Sequence, residues 1–388
     1  MAETLRIGPT GTNLLKHISL QTYETLDKQV REIITNSLDA GATLTRITYD
    51  AKRVPTLAIW DNGEGMTRED FSKNYLTIGM SEKYGDRTKV GRIGIGRFAM
   101  VGLCKKVEVR TRKRGSTKIY WATLDFTKMF DEFHKHTDIT SIDIGEGREV
   151  DAGSDDPPSF TEIKYIDLRP EAVQKFEDES SYRKLVWKLQ RYLPLKYPAN
   201  HRLFKDRLNA DTVERLLDPK HPTIEVRVTA PHSRVKDEPL LRTVYGHDPS
   251  IEPVFGEPYE FRHEWPDHDG LQVFGYFLDM KEVTERTRPW NGAVVRVQNV
   301  AVLDEEILAW VDSPVRGRIT GEVFIMGLKA EVAMTMNRSG FVETDPQWIA
   351  AKVFLEEQLG RWAKEARYRS DEVNARVRDK VKELKQQL

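Results

Sequence analysis

The sequence has a single cysteine, Cys104, so no disulfide can form within the chain, and such usage suits a reducing compartment. It has almost no net charge: 60 basic against 61 acidic side chains leave −1, which lends no strong support to a nucleic-acid-binding surface. It has no long apolar run, which argues against a membrane-spanning helix, and its first residues lack the apolar core of a secretion signal. Internal repeats and low-complexity tracts are missing as well. No Gly-x-x-x-x-Gly-Lys-Ser/Thr stretch occurs, which removes a Walker-type phosphate loop. What remains is an ordinary soluble composition over 388 residues, enough for two sizeable domains and an extension. The expected compartment is the cytoplasm.

Three short segments in the first hundred residues carry chemistry. In the first, the run Leu26 to Ala40 has no Pro or Gly, and Gly41 follows where a helix would end. Helical periodicity puts Glu32, Asn36 and Asp39 in one narrow stripe, with Val30, Ile33, Ile34 and Leu38 free to pack elsewhere. Such a stripe is also the ordinary solvated face of many helices. Its residue types nonetheless suit a Mg²⁺–phosphate site, since an amide oxygen binds a hard cation and a carboxylate can orient or deprotonate water.

The second segment follows an expected hairpin, Thr43–Tyr49 and Thr56–Trp60. Asp61–Asn62–Gly63–Glu64–Gly65–Met66 then places a carboxylate at a strand's end, with glycines that permit close approach of a ligand. The alternative is a plain surface turn, although Thr67 with Asp70 three residues on reads as a helix N-cap. The third segment, Gly91–Arg92–Ile93–Gly94–Ile95–Gly96, does not follow the first strand of a βαβ unit, as a dinucleotide loop would. It reads as a glycine-rich lid running into an apolar helix at Phe98–Leu103, whose N-terminus favours phosphate.

In this order and spacing the segments resemble the GHKL ATPase superfamily: DNA gyrase, the ninety-kilodalton heat-shock chaperone, histidine kinases, MutL and the MORC ATPases. A fourth candidate, Phe160–Thr161–Glu162–Ile163, is similar to the late strand whose threonine helps hold adenine, with Phe160 standing where a glycine is usual. The resemblance implies that Glu32 activates water, that Asn36 binds Mg²⁺, and that Asp61 reads the adenine amino group. It also implies that Asp39 belongs to the nucleotide pocket and that Gly65 and Met66 line the base. Gly91, Gly94, Ile95 and Gly96 would form the lid. Ile78–Gly79–Met80–Ser81–Glu82–Lys83 is similar to the start of the MORC lid, which would bring Ser81 and Lys83 towards phosphate.

Further along, strands are expected at Lys106–Thr111 and Lys118–Leu124, a surface loop over Asp131–Ser159 and a helical region from Arg169 to Leu193. The basic turn Arg110, Arg112, Lys113, Arg114 reads as a solvated hairpin tip, with a DNA contact as the minority alternative. A second domain is expected to begin near Asp211, with strands at Thr223–Val228, Gln272–Leu278, Ala293–Gln298 and Gly321–Ile325. In the resembling family this is the transducer, which returns a basic residue to the ATP site. Arg338, in Met336–Asn337–Arg338–Ser339–Gly340–Phe341, is the first choice for that contact and Lys329 the reserve, since a planar guanidinium bridges phosphate oxygens well. Helix is expected from Gln347 onward, with a narrow seam of Val373, Val377, Val381 and Leu384. The chain stops inside that seam without a cap, as a fragment of a larger protein would.

The sequence thus predicts an α+β protein. A two-layer α/β sandwich of the Bergerat type, binding ATP, would span 1–205, an α/β transducer 206–345 and a helical extension 346–388. The implied function is Mg²⁺-dependent ATP hydrolysis in a nucleotide-gated homodimeric clamp. The alternatives are a slow-timer interaction module and a chaperone-like ATPase, with a DNA or protein client open. A histidine kinase fits least, for want of a phosphoacceptor-helix motif.

Overall fold

The computed structural model describes residues 25–77, 99, 101–127, 138, 142–198, 201–233, 238–243, 255–280, 290–310, 315–335 and 339–386. The chain divides into two compact units, Met1–Lys196 with Thr223–Leu241, and Tyr197–Pro222 with Arg242–Leu388. The architecture is mixed α+β, with one sheet in each unit.

The first unit is built on a seven-stranded sheet. Its strands are β1 (Leu44–Asp50), β2 (Thr56–Asp61), β3 (Lys106–Arg112), β4 (Lys118–Asp125), β5 (Gly145–Asp151), β6 (Phe160–Ile166) and β7 (Glu225–Thr229). The spatial order is β5-β4-β3-β6-β2-β1-β7. Every pairing is antiparallel except β1 with β7. Burial alternates along β1, β2, β3 and β6, so one face packs against helices. Those helices are α1 (Leu26–Asp39), α2 (Pro170–Glu177) and α3 (Glu179–Tyr192). Val30, Ile33 and Ile34 of α1 join Phe176, Leu185 and Leu189 over Ile47, Ile59, Val109 and Tyr165 in one core. Tyr49 stacks on Phe176 with centroids 4.7 Å apart.

Three expectations change here. The helical region at 169–193 is two helices: Asp178 leaves helical geometry and caps α3, accepting the Ser181 N–H at 2.7 Å. The polar stretch at 131–159 contains β5, an edge strand that is exposed along nearly its whole length. With neither face buried it carries no alternation to mark it. The strand expected at 223–228 as part of the second domain is β7, and it closes the edge of the first sheet, with Leu44 opposite Glu225 and Thr48 opposite Thr229. Of the apolar helix expected at 98–103, a single 3₁₀ turn at Val101–Leu103 falls within the described residues.

The second unit has a five-stranded sheet in the order β11-β10-β12-β9-β8. The strands are β8 (Phe255–Trp265), β9 (Leu271–Asp279), β10 (Gly292–Val297), β11 (Val300–Leu303) and β12 (Ile319–Met326). α4 (Ala210–Leu216) belongs to the same unit, as does α5 (Pro346–Gln386), a single helix of 41 residues. Trp348, Leu355, Leu359 and Trp362 of α5 are buried against Val273, Phe277, Val295 and Val323 of the sheet. α5 runs through the predicted seam, but the side chains of Val373, Val377, Val381 and Leu384 lie outside the described residues. Among the described residues no helix is long and apolar enough to cross a membrane.

Alternate residues of the second sheet form a different kind of interior. Glu322, Arg296 and Tyr276 are buried together, joined by Tyr197, Arg242 and Asn299. Arg296 Nε donates to Glu322 Oε1 at 2.8 Å, and the Tyr197 and Tyr276 hydroxyls donate to Oε2 at 2.8 and 3.1 Å. Arg242 lies over the Tyr197 ring, 3.9 Å from Glu322 Oε1, and donates to Asn299 Oδ1. Asn299 Nδ2 in turn donates to the Pro222 carbonyl at 2.8 Å. Tyr197, Pro222 and Arg242 are the second unit's residues at its three chain junctions with the first, so one buried ion cluster holds all three.

Candidate functional site

The first unit's polar interior is built from the bottom of α1 and one row across the sheet. Register places Thr45 opposite Asp61, Asp61 opposite Thr161, and Thr161 opposite Thr111. All four are buried, with Thr45 and Thr111 fully so. Cross-strand neighbours on one face stand within contact reach, so the strand pairing itself assembles a polar stripe in an otherwise apolar layer.

Asp61 is the charged member. Its Oδ2 accepts from the Ser37 hydroxyl of α1 at 2.8 Å and its Oδ1 from the Gly63 N–H at 2.9 Å. Burial pushes its carboxyl above the usual 3.8, and these two hydrogen bonds pull the other way without cancelling the shift. A carboxylate has about four acceptor positions, so these two donors leave it room for another.

The loop after Asp61 is held on every side. Asn62 Oδ1 accepts from the Thr43 and Leu44 N–H groups at 2.9 Å each, and the Glu64 N–H donates to the Ala40 carbonyl at 2.9 Å. Gly63 sits so close that a Cβ there would lie 2.9 Å from Asp61 Oδ1 and 3.0 Å from the Ala40 carbonyl. Gly65 has φ of 65°, and a Cβ would fall 1.9 Å from the Arg112 carbonyl, so no other residue fits. The Met66 N–H donates to Thr111 Oγ1 at 2.8 Å, fastening the loop to β3. Thr67 and Asp70 make the expected reciprocal cap.

Glu32, Asn36 and Asp39 all lie on α1. Glu32 and Asp39 are buried rather than solvated, and Asn36 is half-buried. Glu32 Oε1 is 3.9 Å from Arg31 Nη2. Thr161 sits on β6 as expected, and its register is regular despite Phe160. Ser81, Lys83, Gly91, Gly94, Ile95, Gly96 and Arg338 lie outside the described residues. Lys329 belongs to the second unit, where its ammonium pairs with Asp269 and its N–H donates to Gln347 Oε1 at 2.8 Å. The basic turn is engaged internally. Arg110 lies near Asp156 and Glu162 and over Trp121, Arg112 donates to the Asp156 and Pro157 carbonyls, and Arg114 pairs with Glu64 at 2.8 Å.

Sequence reasoning missed Ser37 and Thr111. A serine in a helix and a threonine in a strand are ordinary on their own; only the register that lines Thr111 up with Asp61 gives it meaning.

The first unit thus brings together a buried strand-end carboxylate, a glycine-held loop and a helix bearing Glu32 and Asn36. Residues 23–152 match the family model described as histidine kinase-, DNA gyrase B- and HSP90-like ATPase. Over this segment the chain is similar to the GHKL ATPases. The chain is 31% identical over 148 residues to a chaperone protein HtpG of Francisella tularensis subsp. novicida (strain U112), covering 30% of this chain and 23% of that one. It is 32% identical over 109 residues to a putative type II restriction enzyme HgiDII of Herpetosiphon aurantiacus, covering 26% of this chain and 17% of the relative. The chaperone protein HtpG of Pseudoalteromonas translucida (strain TAC 125) matches at 30% over 147 residues. The chain therefore spans less than a quarter of the length of these relatives.

Proposed function

We propose that this chain binds ATP with Mg²⁺, hydrolyses it, and uses the cycle as a nucleotide-gated dimerising switch. The observation that carries the reading is Asp61: a buried carboxylate facing neutral donors, with acceptor capacity unmet, at the mouth of a loop that tolerates only glycine at position 65. In this reading Asp61 accepts from the adenine amino group, Thr161 assists, and Gly65 and Met66 form the wall beside the base. The Asn36 amide oxygen is the group that would hold Mg²⁺, a hard cation that prefers oxygen ligands. Bound there, the ion would offset phosphate charge. Glu32 would accept the proton of the attacking water, with Asp39 about two turns further along the same helix.

The glycines at 91, 94 and 96, with Ile95, Ser81 and Lys83, would close over the phosphates. Arg338, or Lys329 in its place, would contact the γ-phosphate. Positioning and charge stabilisation then carry most of the rate. In domain terms, 1–205 would bind nucleotide, 206–345 would act as transducer and 346–388 as a helical extension, working in the cytoplasm. The likeness to the MORC lid at Ile78–Lys83 supports a clamp, whereas the chaperone names of two of the relatives favour a chaperone-like output for the same cycle.

Glu32→Ala tests the chemistry. It should leave ATP binding intact and slow hydrolysis by about 10²–10⁴, the usual cost of losing a general base; turnover at the parent's rate would reduce Glu32 to a structural carboxylate. Light scattering tests the switch. A non-hydrolysable ATP analogue should convert monomers to dimers, and Arg338→Ala should suppress that shift; one unchanged mass in both states would sink the clamp.

A further inference from the structure

We propose that Thr111 is a positioning residue that fixes Thr161 as a hydrogen-bond acceptor, so that the site selects 6-amino over 6-oxo purines; this rests on the nucleotide reading above. Thr111 Oγ1 meets three chain segments. It accepts from the Met66 N–H at 2.8 Å, donates to the Phe160 carbonyl at 3.0 Å, and lies 3.2 Å from Thr161 Oγ1. A hydroxyl has one proton. The Phe160 carbonyl is the shorter of the two contacts open to the Thr111 proton, and with the proton there Thr161 is the donor in the threonine pair.

That assignment has a consequence on the other side of Thr161. Its proton points to Thr111, so it offers only lone pairs to any further partner. Its neighbour across the strands is Asp61, whose ionised carboxylate also offers only lone pairs. Two adjacent acceptors suit a ligand edge that donates, directly or through water, as the 6-amino group of adenine does with two N–H bonds. A 6-oxo purine turns a carbonyl oxygen to the same place, and acceptor then faces acceptor. A buried polar group left unpaired in this way is what gives such sites their discrimination. Thr111 touches no ligand in this scheme; it acts by fixing the direction of one proton.

The test compares binding of ATP and of inosine triphosphate by calorimetry in the parent, Thr111→Val and Thr111→Ser. Valine keeps the shape and removes the acceptor, freeing Thr161 to turn its proton outward. Loss of the Met66 anchor would weaken both nucleotides alike, whereas loss of polarity changes their ratio. The parent should prefer ATP. Thr111→Val should narrow that preference by about tenfold, the contribution of roughly one hydrogen bond, and Thr111→Ser should keep the parent's ratio. Should Thr111→Val not fold, Thr161→Val removes the acceptor itself and should narrow the ratio in the same way. An unchanged ratio in the valine variant that is measured overturns the inference and leaves ATP binding standing. A parent that binds both equally overturns the selectivity as well, and one that binds neither overturns the proposed function with it.

Discussion

Asp61 in the first unit and Glu322 in the second are both carboxylates buried among polar groups, and the two are treated in opposite ways. Asp61 and Glu322 are almost equally hidden, at 6% and 4% exposure. Burial raises both. At Asp61 the partners are the Ser37 hydroxyl and the Gly63 N–H, and the carboxyl stays above its ordinary value. At Glu322 burial is again the largest single influence, yet Arg296, Arg242 and Tyr197 together outweigh it and the carboxyl falls below its ordinary value. Depth alone therefore does not mark a functional site. Glu322 is surrounded by cations, whereas Asp61 is given a hydroxyl and a backbone N–H, and that difference in neighbours sets the opposite directions.

The largest effect expected from this contrast is on stability. Glu322→Gln removes the carboxylate charge that faces two buried guanidiniums, and breaking such a pair costs about 3–5 kcal/mol. Denaturant unfolding should show that loss in Glu322→Gln; a loss below 1 kcal/mol would mean that the cluster is not what holds the junction residues Tyr197, Pro222 and Arg242.

The pH dependences should also run in opposite directions. Glu322 has its folded value below the usual 4.5, so its stabilisation is fully present above 4.5 and disappears as pH falls through the lower folded value. Asp61 has its folded value above 3.8, so its contribution to stability is present below 3.8 and is lost as pH rises through the folded value. The proposed contact with the adenine amino group needs the ionised form. ATP affinity should therefore drop on acidification at a pH above that of an ordinary aspartate, as a calorimetric pH series would show. An affinity that is flat down to 3.8 would contradict the acceptor role.

The smallest effect separates one strand of the cluster from the rest. Tyr197→Phe removes one hydrogen bond to Glu322 and leaves both arginines in place, which should cost about 0.5–1.5 kcal/mol in the same unfolding assay. A cost equal to that of Glu322→Gln would mean that the tyrosine, not the ion pairs, dominates.

Much of the site was legible in the sequence because its parts are local. Helix period put Glu32, Asn36 and Asp39 on one element, and Asp61–Asn62–Gly63–Glu64–Gly65 marked a strand end with unusual backbone needs. Thr111 and Ser37 were not legible, because they act through strand register and helix docking, which no single segment displays. The same holds for Glu322, Arg296 and Arg242, spread over eighty residues and read as charges in strands and loops. β7 was placed in the second domain because it follows the first in sequence, and only its parallel pairing with β1, nearly 180 residues away, returns it to the first sheet. β8, an eleven-residue edge strand with a bulge between Phe255 and Tyr259, was not anticipated because Gly256 and Pro258 break its pattern.

Asp61 is the residue on which the proposed ATP binding depends most, and Asp61→Asn changes its chemistry with little change of shape. Asparagine replaces an acceptor-only group with one that is half donor. Calorimetric titration of ATP into the parent and into Asp61→Asn, with melting curves of both proteins without nucleotide, is the decisive measurement. The prediction is clear binding by the parent and an affinity lower by at least tenfold in the variant, about 1.4 kcal/mol, while the melting curves stay close. Equal ATP affinity in the two proteins would contradict it.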